Sequence, residues 1–168
     1  EEQMAKVLVA YGSKMGGTAG IAERVAETLK GRGHQVTLAP AGKVPGKMSW
    51  DAAVVGSGLY AGRWRREAVR LLRRLAGPGE KPGRVWLFHS GPLGDEHADD
   101  PEPLPGKVRA LAERLGAADV VTFGGRFRAE DASGFIAKAM AKGEVLGDWR
   151  RLDHAEAWAN AIAAELGA

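Results

Sequence analysis

Short apolar runs alternate with helical stripes along the whole of this 168-residue chain, and that alternation leaves few architectures open. Five runs read as buried strands: residues 6–11, 35–38, 51–56, 84–89 and 119–123. The first, third, fourth and fifth are near-continuous rather than alternating, the pattern of parallel strands covered on both faces. Between and after them lie four amphipathic stretches. Residues 19–30 align Ala22, Val25, Ala26 and Leu29, and residues 64–75 align Ala68, Leu71, Leu72 and Leu75. Residues 107–115 align Val108, Leu111, Ala112 and Leu115, and residues 152–166 align Ala155, Trp158, Ala159, Ile162, Ala163 and Leu166. A repeat of three to four residues is that of a helix with one buried face. The expected fold class is α/β: a doubly wound, five-stranded parallel sheet with helices on both faces. Length, and the absence of any linker or repeat, predict one domain over residues 4–168.

Two stretches depart from the alternation. Residues 91–106 are rich in Pro, Gly and Asp and read as an exposed loop. Residues 124–149 are too long for an ordinary connection and read as an excursion from the sheet. Within it Phe135, Ile136, Ala139 and Met140 can form one face of a short helix, capped by Asp131 or Ser133.

Composition removes several function classes. The chain has no cysteine, so thiolate metal sites, disulfides and redox dithiols are excluded. No apolar run approaches the roughly 20 residues that span a bilayer, so membrane contact is expected to be peripheral at most. Glu1, Glu2 and Gln3 precede Met4, which is either the natural start or follows three native residues; no signal peptide is visible, and a cytoplasmic location is expected. A net charge of +3 permits an acidic ligand or partner but does not point to nucleic acid. The four histidines show no metal spacing.

The first strand empties into a loop that reads GSKMGGT, residues 12–18. Ser13 and Thr18 offer hydroxyls, Gly16 and Gly17 allow a tight turn with inward amides, and a helix N-terminus follows. These are the parts of a phosphate cradle; the bland alternative is a plain β–α turn that needed glycine. Lys14 either adds charge or faces solvent. The Walker lysine is absent, and the glycines lack the dinucleotide spacing, so two larger nucleotide-binding classes are excluded.

With these residues in place, the chain resembles the flavodoxin superfamily. Ser13-Lys14-Met15-Gly16-Gly17-Thr18 is similar to its phosphate loop, with Met15 where the family often has Thr and Gly17 where it often has Asn. The stretch VVGSGLYAGRW, residues 54–64, looks like the second flavin loop, and FHSGPLGDE, residues 88–96, looks like the third. FGGRF (residues 123–127) and the terminal GDWRRLDHAEAWANAIAAEL extend the likeness over nearly the whole chain. Within the superfamily, Gly56 to Gly62 and the Asp148-Trp149 pair most resemble the menaquinone-dependent protoporphyrinogen oxidase group and its flavodoxin-domain relatives.

The resemblance implies strand order 2-1-3-4-5 and FMN as cofactor. It puts the phosphate at Ser13, Lys14, Met15, Gly16, Gly17 and Thr18. It puts the flavin ring between Ser57, Gly58, Leu59, Tyr60, Ala61 and Gly62 on one side and His89, Ser90, Gly91 and Asp95 on the other. Tyr60 either stacks on the ring or packs on the surface. Trp64 either flanks it or anchors the following helix. His89 either donates to a flavin carbonyl, relays protons, or is satisfied locally. No catalytic triad or carboxylate pair is visible, which suits a cofactor that carries the chemistry.

The implied activity is an FMN-dependent oxidoreductase acting on a porphyrinogen, quinone or similar planar substrate. The alternatives are a flavodoxin-like electron carrier with a redox partner protein, and a non-catalytic domain with weak or no flavin binding. Arg63, Arg65 and Arg66 beside the second loop suit an acidic substrate or partner, or simply form the solvated face of a helix.

Overall fold

The computed structural model describes residues 4–13, 17–91, 102–117, 120–124, 126–127, 147–148, 150 and 152–167. In chain order the elements are β1 (Lys6–Gly12), α1 (Gly17–Gly31), β2 (Gln35–Pro40), β3 (Ala52–Tyr60), β4 (Arg63–Trp64), α2 (Arg66–Leu75), β5 (Arg84–Ser90), α3 (Gly106–Leu115), β6 (Val120–Phe123), β7 (Arg126–Phe127), β8 (Gly147–Asp148) and α4 (Leu152–Glu165). The parallel sheet runs β2-β1-β3-β5-β6. Its five parallel strands therefore stand in the order 2-1-3-4-5, as expected. Strand β4 pairs antiparallel with the end of β3 and lies outside that path.

The near-continuous apolar runs are explained by burial on both faces. Alternate residues of β1, β3 and β5 feed two separate cores. Leu8, Ala10, Ala53, Val55, Val85 and Leu87 pack with Ala68, Leu71, Leu72 and Leu75 of α2 and Val108, Leu111, Ala112 and Leu115 of α3. Val7, Val9, Ala52, Val54, Trp86 and Phe88 pack with Ile21, Ala22, Val25, Ala26 and Leu29 of α1 and Ala155, Ala159, Ile162 and Ala163 of α4. Both faces thus carry helices. The edge strand β2 is only partly buried, which accounts for its weaker apolar pattern.

Small residues in β3 make room for large ones beside it. The Phe88 ring occupies the space where a Cβ on Gly56 would stand. That ring packs edge-on against Phe123 at 6.0 Å and against Trp158 at 5.7 Å between centroids. The three rings join β5, β6 and α4, so truncating Phe88 to alanine is expected to cost about 3–5 kcal/mol.

Strands β7 and β8 pair antiparallel, Arg126 with Asp148 and Phe127 with Gly147. The expected excursion over residues 124–149 therefore leaves and returns through a short ladder. The helix expected around Phe135–Met140 lies outside the described residues.

Candidate functional site

Register gathers the candidate residues at the carboxyl edge of the sheet. Gly12 pairs with Ser57, Ser57 with His89, and His89 with Thr122. One row further out, Gly58 pairs with Ser90 and Ser90 with Phe123. Side chains alternate between faces along a strand, so the His89 row points to the α2/α3 side and the Ser90 row to the α1/α4 side. The strand order reverses between β1 and β3, and ligands of open α/β sheets bind beyond the strand ends at such a switch point.

The first loop meets the third. Thr18, in the first turn of α1, is 2% exposed, and its Oγ1 lies 2.9 Å from Oγ of Ser90, itself 5% exposed. These hydroxyls come from positions 72 residues apart. The first turn of α1 holds no acidic residue, so nothing there opposes a bound anion at its positive end. Ser13 sits half-buried just before that turn, and Gly17 is buried within it. Two hydroxyls, an acid-free helix N-terminus and a buried glycine fit a phosphate group. Lys14, Met15 and Gly16 lie outside the described residues.

The second loop is not a loop throughout. Strand β3 continues through Ser57 and Gly58 to Tyr60, where the sequence suggested that it stops at Gly56. Leu59 then pairs with Trp64 and Tyr60 with Arg63, leaving Ala61 and Gly62 as a two-residue turn. Both turn residues have positive φ, 51° and 74°. Positive φ at both central positions matches the right-handed strand twist of a tight hairpin. Gly62 adopts it without cost, whereas Ala61 is strained. The sequence carries no hairpin signal here because Ala at the first central position is not the usual Asn or Gly.

Small residues close the second and third loops together. A Cβ on Gly91 would stand 2.7 Å from Leu59 Cβ, so glycine is needed for that approach. The Gly91 amide donates to the Phe123 carbonyl at 3.3 Å. Gly58 is covered by the ring of Tyr60, with ring atoms 2.8 Å from where a Cβ would be. The Arg65 guanidinium lies 5.9 Å from the Tyr60 ring centroid. Ser57, fully buried, accepts the Arg65 amide at 2.8 Å and donates to the Gly58 carbonyl at 2.8 Å. It thereby fixes where α2 begins.

His89 is the node of this edge. It is fully buried, and its Nδ1 accepts the indole N–H of Trp64 at 3.1 Å. An indole N–H can only donate, so Nε2 must carry the ring proton. Nε2 lies 3.1 Å from the Glu102 carbonyl and 3.0 Å from Thr122 Oγ1. Thr122 Oγ1 also accepts the Glu102 amide at 3.1 Å. Burial pushes the His89 pKa down from 6.5 to about 4, against a smaller opposing contribution from the Glu102 carbonyl. The imidazole is therefore neutral near pH 7, with both nitrogens engaged within the protein. Trp64 is 6% exposed, lies in β4 rather than opening α2, and anchors the hairpin to the sheet. Periodicity carries no signal for the Trp64–His89 bond, since 25 residues separate the partners.

Of the expected residues, Thr18, Ser57, Gly58, Leu59, Tyr60, His89, Ser90 and Gly91 come together at this edge, with Ser13 and Gly17 beside them. Ala61 and Gly62 form the exposed hairpin tip. Asp95 lies outside the described residues. Among the described residues no cluster of His, Asp or Glu could hold a metal ion, and no helix is long and apolar enough to cross a membrane.

An open parallel sheet in order 2-1-3-4-5, with the first turn of α1, the β3–β4 hairpin and the end of β5 gathered at its carboxyl edge, defines a flavodoxin-like α/β protein. The chain belongs to the flavodoxin domain family, whose model matches residues 8–130. Solved structures agree on the fold. The chain is similar to a flavodoxin from the domain Archaea, with a TM-score of 0.64 at 13% identity, covering 97% of this chain and 99% of that one. It is similar to oxidised flavodoxin 2 from Bacillus cereus, with a TM-score of 0.59 at 20% identity, covering 96% and 99%. It also matches rubredoxin oxygen:oxidoreductase from Desulfovibrio gigas, with a TM-score of 0.59 at 17% identity, covering 97% of this chain but 37% of that one. No curated protein sequence matches the chain.

Proposed function

We propose that this protein is an electron-transfer module that holds FMN at the carboxyl edge of its sheet. The observation that carries the reading is the meeting of the first turn of α1 with the end of β5 there, the Thr18 and Ser90 hydroxyls standing 2.9 Å apart beside an acid-free helix N-terminus. When bound, FMN supplies one- and two-electron redox chemistry. The residues that would hold its phosphate are Ser13, Lys14, Met15, Gly16, Gly17 and Thr18. Those that would flank its ring are Gly58, Leu59, Tyr60, Ala61 and Gly62 of the hairpin and Ser90, Gly91 and Asp95 of the third loop.

Ser57 and His89 have a different part in this reading. Their polar atoms are committed to the frame, so they position the hairpin and the third loop rather than touch the cofactor. His89, neutral and bonded at both nitrogens, adds no charge beside the ring and does not shuttle protons. Orientation is then set by a rigid, buried network, which keeps the loops in place through a change of cofactor charge.

A finer reading is a porphyrinogen or quinone oxidoreductase of the kind that the sequence resembles. It is favoured by exposed Arg63 at the hairpin, beside the edge where a planar anionic substrate would enter. A cytoplasmic location belongs with either reading.

The experiment is a titration of the purified protein with FMN, followed by flavin fluorescence and absorption near ~450 nm. Saturable quenching is expected; a protein that takes up no FMN refutes the proposal. With FMN loaded, turnover with a porphyrinogen or a menaquinone analogue selects the oxidoreductase. Exchange of electrons only with a protein partner selects the carrier.

A further inference from the structure

The protein's charge is not spread evenly. Residues 63–75 hold six arginines and one glutamate, a net +5. The rest of the chain has eighteen basic and twenty acidic residues, so all of the net +3 arises in this segment. The helices repeat the asymmetry. From the residues of each, α2 is net +3 and α3 net +2, whereas α1 is neutral and α4 is net −3. Helices α2 and α3 pack on one face of the sheet and α1 and α4 on the other, where Glu156 and Glu165 of α4 pair with Arg24 and Arg84, so among the described helices the excess of positive charge lies on the α2/α3 side.

Within the basic side, two arginines are held in place. Arg65 pairs with Glu67 at 3.0 Å, and Arg74 pairs with Glu80 at 3.1 Å. Arg63, Arg66, Arg70 and Arg73 are exposed, and none of them makes an ion pair among the described residues. Arg66, Arg70 and Arg73 follow the spacing i, i+4, i+7, one stripe about 10 Å long on the solvent side of α2. The buried side of the same helix is Ala68, Leu71, Leu72 and Leu75, so the stripe is not needed for packing. Arg63 continues it onto the hairpin, directly across from Tyr60.

We propose that this arginine stripe is the docking surface for an acidic redox partner protein. The proposal rests on the reading of the sheet edge as an FMN site, because the stripe begins at the hairpin that flanks that edge. A partner whose acidic patch covers Arg63, Arg66, Arg70 and Arg73 would bring its redox centre against the hairpin end of the sheet. The α1/α4 face, where Glu156 and Glu165 are paired with Arg24 and Arg84, offers the patch no such run of unpaired arginines among the described helices, so the stripe orients the encounter as well as speeding it. Among the described helices the basic surface is the α2 stripe with net-basic α3 beside it, each helix ten residues long. A nucleic acid would need a longer basic track than these two helices supply.

The test compares the full chain with R66E/R70E/R73E and with R66Q/R70Q/R73Q, which removes charge without reversing it. FMN titration comes first and should be the same in all three. Its failure in every protein refutes the cofactor reading and leaves the docking measurement intact, because the latter is made on fluorescein-labelled polyglutamate by anisotropy and needs no flavin. Affinity for polyglutamate at low salt should fall at least about tenfold in R66E/R70E/R73E, less in R66Q/R70Q/R73Q, and the difference should vanish at high salt. In FMN-loaded, reduced protein, reoxidation by ferricyanide should slow about tenfold in the glutamate variant, while reoxidation by the cation hexaammineruthenium should quicken. Polyglutamate affinities within twofold of one another overturn the proposal. Submicromolar binding of a DNA duplex at about 0.15 M salt overturns it in favour of a nucleic-acid surface.

Discussion

Replacing His89 with leucine keeps a buried side chain of similar bulk but deletes every hydrogen bond at the sheet edge's central node. The largest single consequence is at Trp64, whose indole N–H, 3.1 Å from Nδ1 in the intact protein, is left buried without an acceptor. A buried donor so orphaned costs about 1–3 kcal/mol. Trp64→Phe produces the mirror defect. It leaves the fully buried Nδ1 without its donor, for about 1–3 kcal/mol, and removes indole packing for a comparable further loss. In the double variant neither orphan remains, so the two losses must not add. The expected coupling is about 1–3 kcal/mol, read as a double variant more stable than the sum predicts. Urea unfolding of the four proteins, with unchanged slope, gives the four free energies. Additivity to within about 0.5 kcal/mol would show that the Trp64–His89 bond is not an energetic link between hairpin and sheet.

The same histidine predicts a pH dependence. Its pKa falls from 6.5 unfolded to about 4 folded, so between these values the unfolded chain binds the extra proton. Its contribution is full above pH 6.5, is lost as pH falls towards 4, and amounts to roughly 3 kcal/mol, which the His89→Leu variant should lack in a urea series from pH 7 to pH 4. Thr18→Ala combined with Ser13→Ala should weaken FMN binding about tenfold or more in a fluorescence titration; unchanged affinity removes these hydroxyls from the phosphate site. Ala61→Asn should raise stability by about 0.5–1 kcal/mol, because asparagine tolerates the positive φ of 51° better than alanine; a loss on thermal unfolding would refute the hairpin-turn geometry.

The sequence by itself determined the sheet. Near-continuous apolar runs over residues 6–11, 51–56 and 84–89 read as strands buried on both faces because they are short and alternate with four amphipathic stripes, which supply the covering helices. It also singled out Ser13–Thr18, because a hydroxyl- and glycine-bearing loop before a helix is a local pattern. What only the tertiary structure decided depends on contacts between residues far apart. Strand β3 runs on into a hairpin whose Trp64 is buried in the α2/α3 core and bonded to His89, a partner that no local period marks. Thr18 meets Ser90 because register, set by the whole β1–β3–β5 ladder, brings those strand ends level. His89 itself was legible as a polar residue at a strand end, but not as a neutral, doubly bonded one. A histidine's charge is set by its desolvation and its partners, and both exist only once the chain has folded.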